Sequence, residues 1–311
     1  MQYIGRSERK MIITSRNNSK IKEAAELIRS SAARRGKGLY MVEGPRMVAE
    51  IPAEDLQEIF VSESFAAKHP EAVLRDSGSS SPDRDPLPFT RGASSPDRDP
   101  LPFTRGTSSP DRSPASHSRS VSPTVDVTVV SDDVFAKISD TKTPQGIAAV
   151  VRMRRYELAD LTTGGPVLII EDIQDPGNLG TMIRSAEGAG AGGIIMDPST
   201  VDIYNPKVIR GTMGAFFRVP HVICPVSDAV AALKEAEYTI YAAHLAGQKS
   251  FTEVEYGKAA FMIGNEGRGL SDQSAALADT YIRIPMEGAL ESLNASVAAS
   301  LLMYEWHRQV H

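Results

Sequence analysis

From Val167 to the C-terminus, short apolar runs alternate without a break with amphipathic or small-residue segments: VLIIED, LGTMIRSAEGAGAGG, IIMD, NPKVIRGTMGAFF, RVPHVI, SDAVAALKEA, YTIYAAHL, AAFMIG and SDQSAALA. Apolar runs that lack a period of two read as strands buried on both faces, and such strands belong to parallel sheets covered by helices on each side. The expected fold class is therefore α/β, with an open parallel sheet. The alternation ends in Tyr281–Glu305. There Tyr281 to Met286 reads as a strand, Leu293 to Glu305 as a small-residue helix, and 288–292 as a glycine-led connection ending in polar side chains. A strand feeding a helix N-terminus gathers free backbone N–H groups at the place where α/β proteins hold ligands. Ser292 reads either as the cap of that helix or as a site residue.

A smaller α/β module precedes this region. Ser15 to Arg35 is expected to be one helix, capped by Ser19, with the stripe Ile21, Ala24, Ala25, Leu27 and Ile28, and stopped by Gly36 to Gly38. Strands are expected at 39–44, within LQEIFVSE, at 125–130 and at 146–151, with Pro45 opening one short helix and Ser131 or Asp132 capping another. The module is interrupted. SSPDRDPLPFTRGA begins at Ser80 and repeats from Ser94 with one change at its end, Thr107 for Ala93, and residues 77–123 hold 13 serines and 9 of the chain's 20 prolines. That composition denies helix and sheet their donors and offers few large apolar groups, so a disordered insertion is expected. The expected organisation is one domain over 12–151 interrupted by 77–123, a linker at 152–165, and a second domain over 166–311.

A net charge of −5 does not announce a nucleic-acid binder, but its distribution is uneven. Residues 1–40 carry ten Lys and Arg against three Glu, a local +7 that suits phosphate contacts or a solvated helix face. The one cysteine, Cys224, reads as a small hydrophobe, and the six histidines show no metal-ligand spacing, so metal-free chemistry is expected. No uncharged apolar run reaches the roughly 18 residues of a membrane span, and the N-terminus lacks a secretory apolar core, so a cytoplasmic protein is expected.

Two further constellations carry chemistry. In DPGNLG, 175–180, Asn178 reads as a helix N-cap, and Arg184 lies about one and a half turns into the following helix. In IGNEGRGLS, 263–271, a strand runs into glycines that permit close backbone approach around Glu266. The spacing is GxxGxG rather than GxGxxG, and no GxxxxGK[ST] is present, which disfavours a dinucleotide or triphosphate site.

Taken together, NLGTMIRSAEGAG, FMIGNEGRGLS and IRIPMEGALESLNASVAASLL, in that order, resemble the three signature motifs of the SpoU (TrmH-type) family of RNA 2'-O-ribose methyltransferases in the SPOUT superfamily. ITSRNNSKIKEAAEL, LYMVEGPRMV and SDTKTPQGIAAVV are similar to the L7Ae/L30e-like RNA-binding domain that precedes the catalytic domain in many members. The resemblance implies a deep trefoil knot, S-adenosylmethionine as cofactor, a homodimer, and a structured RNA substrate, ribosomal more than transfer RNA. By position it implies that Gly264, Ile284 and Leu293 contact the cofactor. Asn178, Arg184, Glu266, Ser292 and Asn294 match the polar catalytic set. A base methyltransferase and a noncatalytic RNA-binding protein of the same fold are the competing readings.

Overall fold

The computed structural model describes residues 12–72, 125–290 and 292–311. The insertion at 77–123, and Arg6, Arg9 and Lys10 of the basic cluster, lie outside the described residues.

The first half is a four-stranded mixed sheet. Helices α1 (Ser19–Arg29) and α2 (Ser31–Lys37) lead into β1 (Leu39–Glu43), then α3 (Pro45–Ala49), β2 (Leu56–Ser62) and α4 (Glu63–Lys68). Strand β3 (Asp126–Val130), α5 (Asp132–Phe135) and β4 (Ile147–Arg152) complete it in the order β1-β4-β2-β3. The expected single N-terminal helix is two helices. Ser30 takes an extended conformation (φ −120°, ψ 114°), and its hydroxyl caps α2 by accepting from Ala33 N at 3.1 Å. Asn18, not Ser19, caps α1, accepting from Lys20 N at 2.9 Å. The expected stripe does face inward, with Ile21, Ala24, Ala25 and Leu27 buried against Phe60, Val134 and Phe135.

The second half is the expected parallel sheet. Its strands are β5 (Val167–Ile170), β6 (Gly193–Met196), β7 (His221–Ile223), β8 (Thr239–Ala243), β9 (Lys249–Ser250), β10 (Ala259–Ile263) and β11 (Thr280–Arg283), all paired in parallel in the order β7-β6-β5-β10-β8-β11-β9. Between them run α6 (Pro176–Gly188), α7 (Pro206–Gly211), α8 (Val226–Glu235), α9 (Asp272–Ala275) and finally α10 (Ala295–Val310). Strand β5 shows why the apolar runs do not alternate. Leu168 and Ile170 pack with Leu179, Met182, Leu302 and Met303 of α6 and α10, while Val167 and Ile169 pack on the other face with Val226, Val230 and Leu233 of α8. Both faces of the strand are dry, so both carry branched side chains. The expected helix over NPKVIRGTMGAFF breaks after α7, where Met213 and Gly214 turn into the left-handed region (φ 52° and 95°).

The two sheets share one core. Tyr40 of β1 sits 5.0 Å, ring centre to ring centre, from Tyr204 and 5.6 Å from Phe216, and both of these pack on His221. His221 is buried with its Nδ1 3.3 Å from the Val219 carbonyl and its Nε2 3.2 Å from the Tyr204 hydroxyl. The carbonyl can only accept, so Nδ1 carries the proton and Nε2 accepts from Tyr204. Burial lowers the imidazole pKa from its ordinary 6.5 to about 4. A group whose folded pKa lies below its unfolded value costs stability as pH falls between the two, because only the unfolded chain takes up the proton there. We expect His221 to account for a loss of about 3 kcal/mol between pH 6.5 and 4. Denaturant unfolding of wild type and His221→Phe across that range checks this. The difference in stability between the two proteins should move by that amount in favour of the variant as the medium is acidified.

Candidate active site

The carboxyl ends of β5, β10, β8 and β11 lie side by side in the sheet, so the loops that leave them meet on one edge. These loops carry the expected site residues. After β5 the chain turns through Asp172, whose left-handed backbone (φ 56°) is tolerated better by Asp than by most side chains. Asp172 accepts from Asn265 Nδ2, from Gln174 Nε2 at 2.7 Å and from the Arg268 guanidinium, and so ties the loop after β5 to the loop after β10.

Asp175, not Asn178, is the N-cap of α6. Its carboxylate accepts from Asn178 N at 2.9 Å, and Pro176 occupies the first turn. Asn178 is thus the third helical residue, and its side chain is released from capping. The Nδ2 of Asn178 donates to Glu266 Oε1 at 3.0 Å, and its Oδ1 accepts from Asn294 Nδ2 at 2.9 Å. Both ends fix the direction of this chain. Asn294 caps α10, its Oδ1 accepting from Ser296 N at 2.9 Å and Val297 N at 3.3 Å, so only its Nδ2 is left to donate. At the other end a carboxylate can only accept. Three segments distant in sequence are joined through one asparagine.

Glu266 also accepts from Asp175 N at 3.0 Å and Gln174 N at 3.3 Å. Partial burial pushes its carboxyl up, but the Asn178 amide and these backbone donors outweigh it and hold the group below its ordinary range. Its stabilising contribution is complete at neutral pH and is lost as pH falls below the ordinary carboxylate value of 4.5. Glu266→Gln turns an amide N–H₂ toward donors that have lost an acceptor. The expected loss is about 1 kcal/mol at pH 7, kept small by the solvent exposure of the group and measurable by urea unfolding.

Ser292, one of the two readings for the cap of the last helix, does not cap it; it is exposed and has no hydrogen-bond partner among the described residues. Arg184 is also exposed, with no hydrogen bond or ion pair among the described residues. It lies six residues beyond Asn178, hence about 9 Å along the helix and on a neighbouring face, which explains why the two do not bond. Gly264 is buried at the end of β10, where the Asn265–Gly269 turn folds back onto it. Ile284 is half-buried against the core on the α6 and α10 side, and Leu293 is half-buried just before Asn294. Leu245 and Leu290, in the loops beyond β8 and β11, leave 73% and 71% of their surface exposed on this edge.

Sequence reasoning missed Asp172, Gln174 and Asp175. The signal for the last was present, since Asp followed by Pro is a strong cap and first-turn pair. No local signal marked the other two.

The chain is similar to known proteins over this region and beyond. The sequence model of the SpoU rRNA Methylase family matches residues 165–304. The 23S rRNA (guanosine(2553)-2'-O)-methyltransferase RlmP of Bacillus subtilis is 37% identical over 177 residues, which cover 57% of this chain and 70% of that protein. Among solved structures, an RNA 2'-O ribose methyltransferase superposes with a TM-score of 0.67 at 26% identity, covering 96% of this chain and 99% of the other. The AdoMet-bound rRNA methyltransferase of Sinorhizobium meliloti, at 23% identity, shares the fold with a TM-score of 0.72 over 97% of this chain and 98% of its own. The matched span holds Asn178, Arg184, Glu266 and Asn294 together, and with a relative this similar aligned over 70% of its length the chain belongs to the SpoU rRNA methylase family.

Proposed function

We propose that this protein transfers a methyl group from S-adenosylmethionine to a ribose 2'-hydroxyl of structured RNA, with 23S ribosomal RNA the first substrate to test. The observation that carries this reading is the Asn178–Glu266–Asn294 chain at the carboxyl ends of parallel strands, with the exposed Arg184, unpaired among the described residues, on the same helix as Asn178. Kinship with RlmP supports the choice of ribose and of ribosomal RNA.

The residues present fit the cofactor. Half-buried Ile284 and Leu293, with exposed Leu245 and Leu290, give the sheet edge an apolar lining suited to an adenine ring. Gly264 lies at the same edge beneath the 265–269 turn, and Gly264, Ile284 and Leu293 would hold the cofactor largely through main-chain groups. Once bound there, S-adenosylmethionine supplies an electrophilic methyl, and neither a metal nor a covalent enzyme intermediate is needed. As the ribose O–CH₃ bond forms, the sulfonium S–CH₃ bond would break to leave S-adenosylhomocysteine, and the hydroxyl proton would pass to solvent water at this exposed edge. Arg184 is protonated at any working pH, so it serves as a positive anchor for the adjacent phosphate and for charge developing on the ribose oxygen. Asn178, Glu266 and Asn294 hold three loops in register around that oxygen, and Ser292 is free to donate to the ribose.

Residues 12–151, interrupted by 77–123, are assigned to holding the RNA, with an L7Ae/L30e-like fold supported by the mixed four-stranded sheet. Residues 152–165 link them to the catalytic domain over 166–311. The return of α10 from the last strands onto α6, where Ser300 Oγ meets Ser185 Oγ at 2.7 Å, supports a trefoil knot. A homodimer is supported by Val297, Leu301 and Tyr304, spaced four and three residues apart on α10 and 45%, 37% and 48% exposed. A cytoplasmic location follows from the substrate. Among the described residues no helix is long and apolar enough to cross a membrane.

Incubation with methyl-labelled cofactor and a 23S rRNA transcript, followed by mapping of 2'-O-methyl sites, tests the reading. A single new 2'-O-methyl site is expected. Label on a base would move the assignment to base methylation, and cofactor binding or transfer absent with every RNA tested would leave a binding protein.

A further inference from the structure

Arg34 belongs to the basic N-terminal cluster, yet it is not available to phosphate. It is 4% exposed, the most buried charged side chain among the described residues. Its Nη1 donates to the carbonyls of Leu27 and Ile28 at 2.8 and 3.0 Å, which fixes the guanidinium under the break between α1 and α2. Its Nε donates at 2.9 Å to Asp202 of the other half of the molecule, and its Nη2 reaches the same carboxylate oxygen. Removing an arginine and a carboxylate from water costs several kcal/mol unless geometry and hydrogen bonds offset it, so a pair like this is poor evidence for stability and better evidence for position.

What Asp202 belongs to gives the position its meaning. It lies in the connection after β6, which is laid directly on the loop that begins the candidate site. Val201 N donates to Ile173 O at 2.8 Å, Ile173 N to the Thr200 hydroxyl at 3.3 Å, Gln174 Nε2 to Ser199 O at 2.9 Å and Asp172 N to Asp197 at 2.8 Å. The next two backbone donors, Gln174 N and Asp175 N, are those that hold Glu266. The second carboxylate oxygen of Asp202 accepts from Tyr204 N at 3.0 Å and shapes the entry to α7, whose Lys207 lies 3.8 Å from the capping carboxylate of Asp175.

We infer that Arg34 and Asp202 are a positioning pair, which fixes the RNA-holding half of the molecule against the 197–205 connection and through it sets the 172–178 loop that presents Asn178 to Glu266. The inference rests on the proposed RNA methylation for its effect on turnover, but not for its structural content. It makes the first half more than a tether, because the guanidinium and the site loop share one short segment.

The test uses the full chain. In Arg34→Met, hydrogen–deuterium exchange over 172–178 should quicken about tenfold while exchange in β5, one residue upstream of that loop, stays unchanged. Methylation of a 23S rRNA transcript should fall about tenfold in kcat, with cofactor affinity within about twofold of wild type. Arg34→Lys keeps the charge without the fork and should recover part of the loss. The double variant Arg34→Met/Asp202→Asn buries no unpaired charge and keeps the acceptor for Tyr204 N. It should match Arg34→Met, since the pair is already broken there, and it carries the test should the single variant fail to fold. Unchanged exchange over 172–178, or a uniform rise that includes β5, would overturn the inference. A wild-type chain that methylates no RNA would remove the proposed function while the exchange measurement still decides the role of the pair.

Discussion

Arg184→Ala is expected to lower kcat/KM for RNA methylation by about 100- to 1,000-fold, the usual cost of losing one preorganised donor to developing charge. Thermal stability should be unaffected, because the side chain is exposed and has no partner among the described residues to lose. Cofactor affinity should also be unchanged. Arg184→Lys retains a cation but loses the planar fork that matches a phosphate, so a loss nearer tenfold is expected. If the guanidinium contacts a phosphate, the log–log salt dependence of RNA binding should flatten by about 0.7 in the alanine variant. Near-normal turnover in either variant would remove Arg184 from the mechanism. A normal salt slope with slow turnover would keep the charge-stabilising role and drop the phosphate contact.

Gly264→Ala should be the most damaging single methyl group in the domain. A Cβ at 264 would lie 2.2 Å from the backbone carbon of Gly269 and the nitrogen of Leu270, and 2.3 Å from the Gly269 oxygen. These are main-chain atoms that cannot rotate away. They are also pinned, since Asn265 and Gly269 exchange two backbone hydrogen bonds at 3.0 and 2.9 Å. The turn must shift as a body, and Glu266 rides on it. Overpacking of this kind costs about 3 kcal/mol, and a displacement near 1 Å at a reacting centre costs about 100-fold in rate. We expect both, read by urea unfolding and by methyl transfer. Gly267→Ala is the control, because its Cβ would meet only the Asn265 side-chain oxygen at 3.7 Å. It should change stability by less than about 0.5 kcal/mol. A normal rate in Gly264→Ala would show that the turn does not set the position of Glu266.

Arg34→Met and Gly264→Ala disturb the same asparagine from opposite sides. One acts through the 172–178 loop and the other through Glu266, so their effects on turnover should not add.

Much of this protein was legible in its sequence because the relevant physics is local. A strand buried on both faces must be apolar at every position, so VLII of β5 and AAFMI of β10 announced a covered parallel sheet. The motif around Asn178, Glu266 and Asn294 was legible for the same reason, since each lies at a turn whose glycines and polar residues have few other uses. The errors were those of local choice between neighbours. Asn18 and Asn294 took caps that were open to Ser19 and Ser292, and Asp175 took the one assigned to Asn178. The last of these changes the chemistry, because with Asp175 as the cap the Oδ1 of Asn178 is left to accept from Asn294.

Only the tertiary structure decided which distant groups meet. Asn178 bonds across 88 residues to Glu266 and across 116 to Asn294, and Arg34 across 168 to Asp202. A sequence window reports periodicity and capping but not which crossover brings two loops to the same sheet edge. Arg34 makes the contrast plain. In the sequence it is one of ten positive charges near the N-terminus, with nothing to separate it from Arg35. In the fold the break at Ser30 turns it inward to an aspartate of the other half, and burial converts a surface charge into one of the contacts between the two halves.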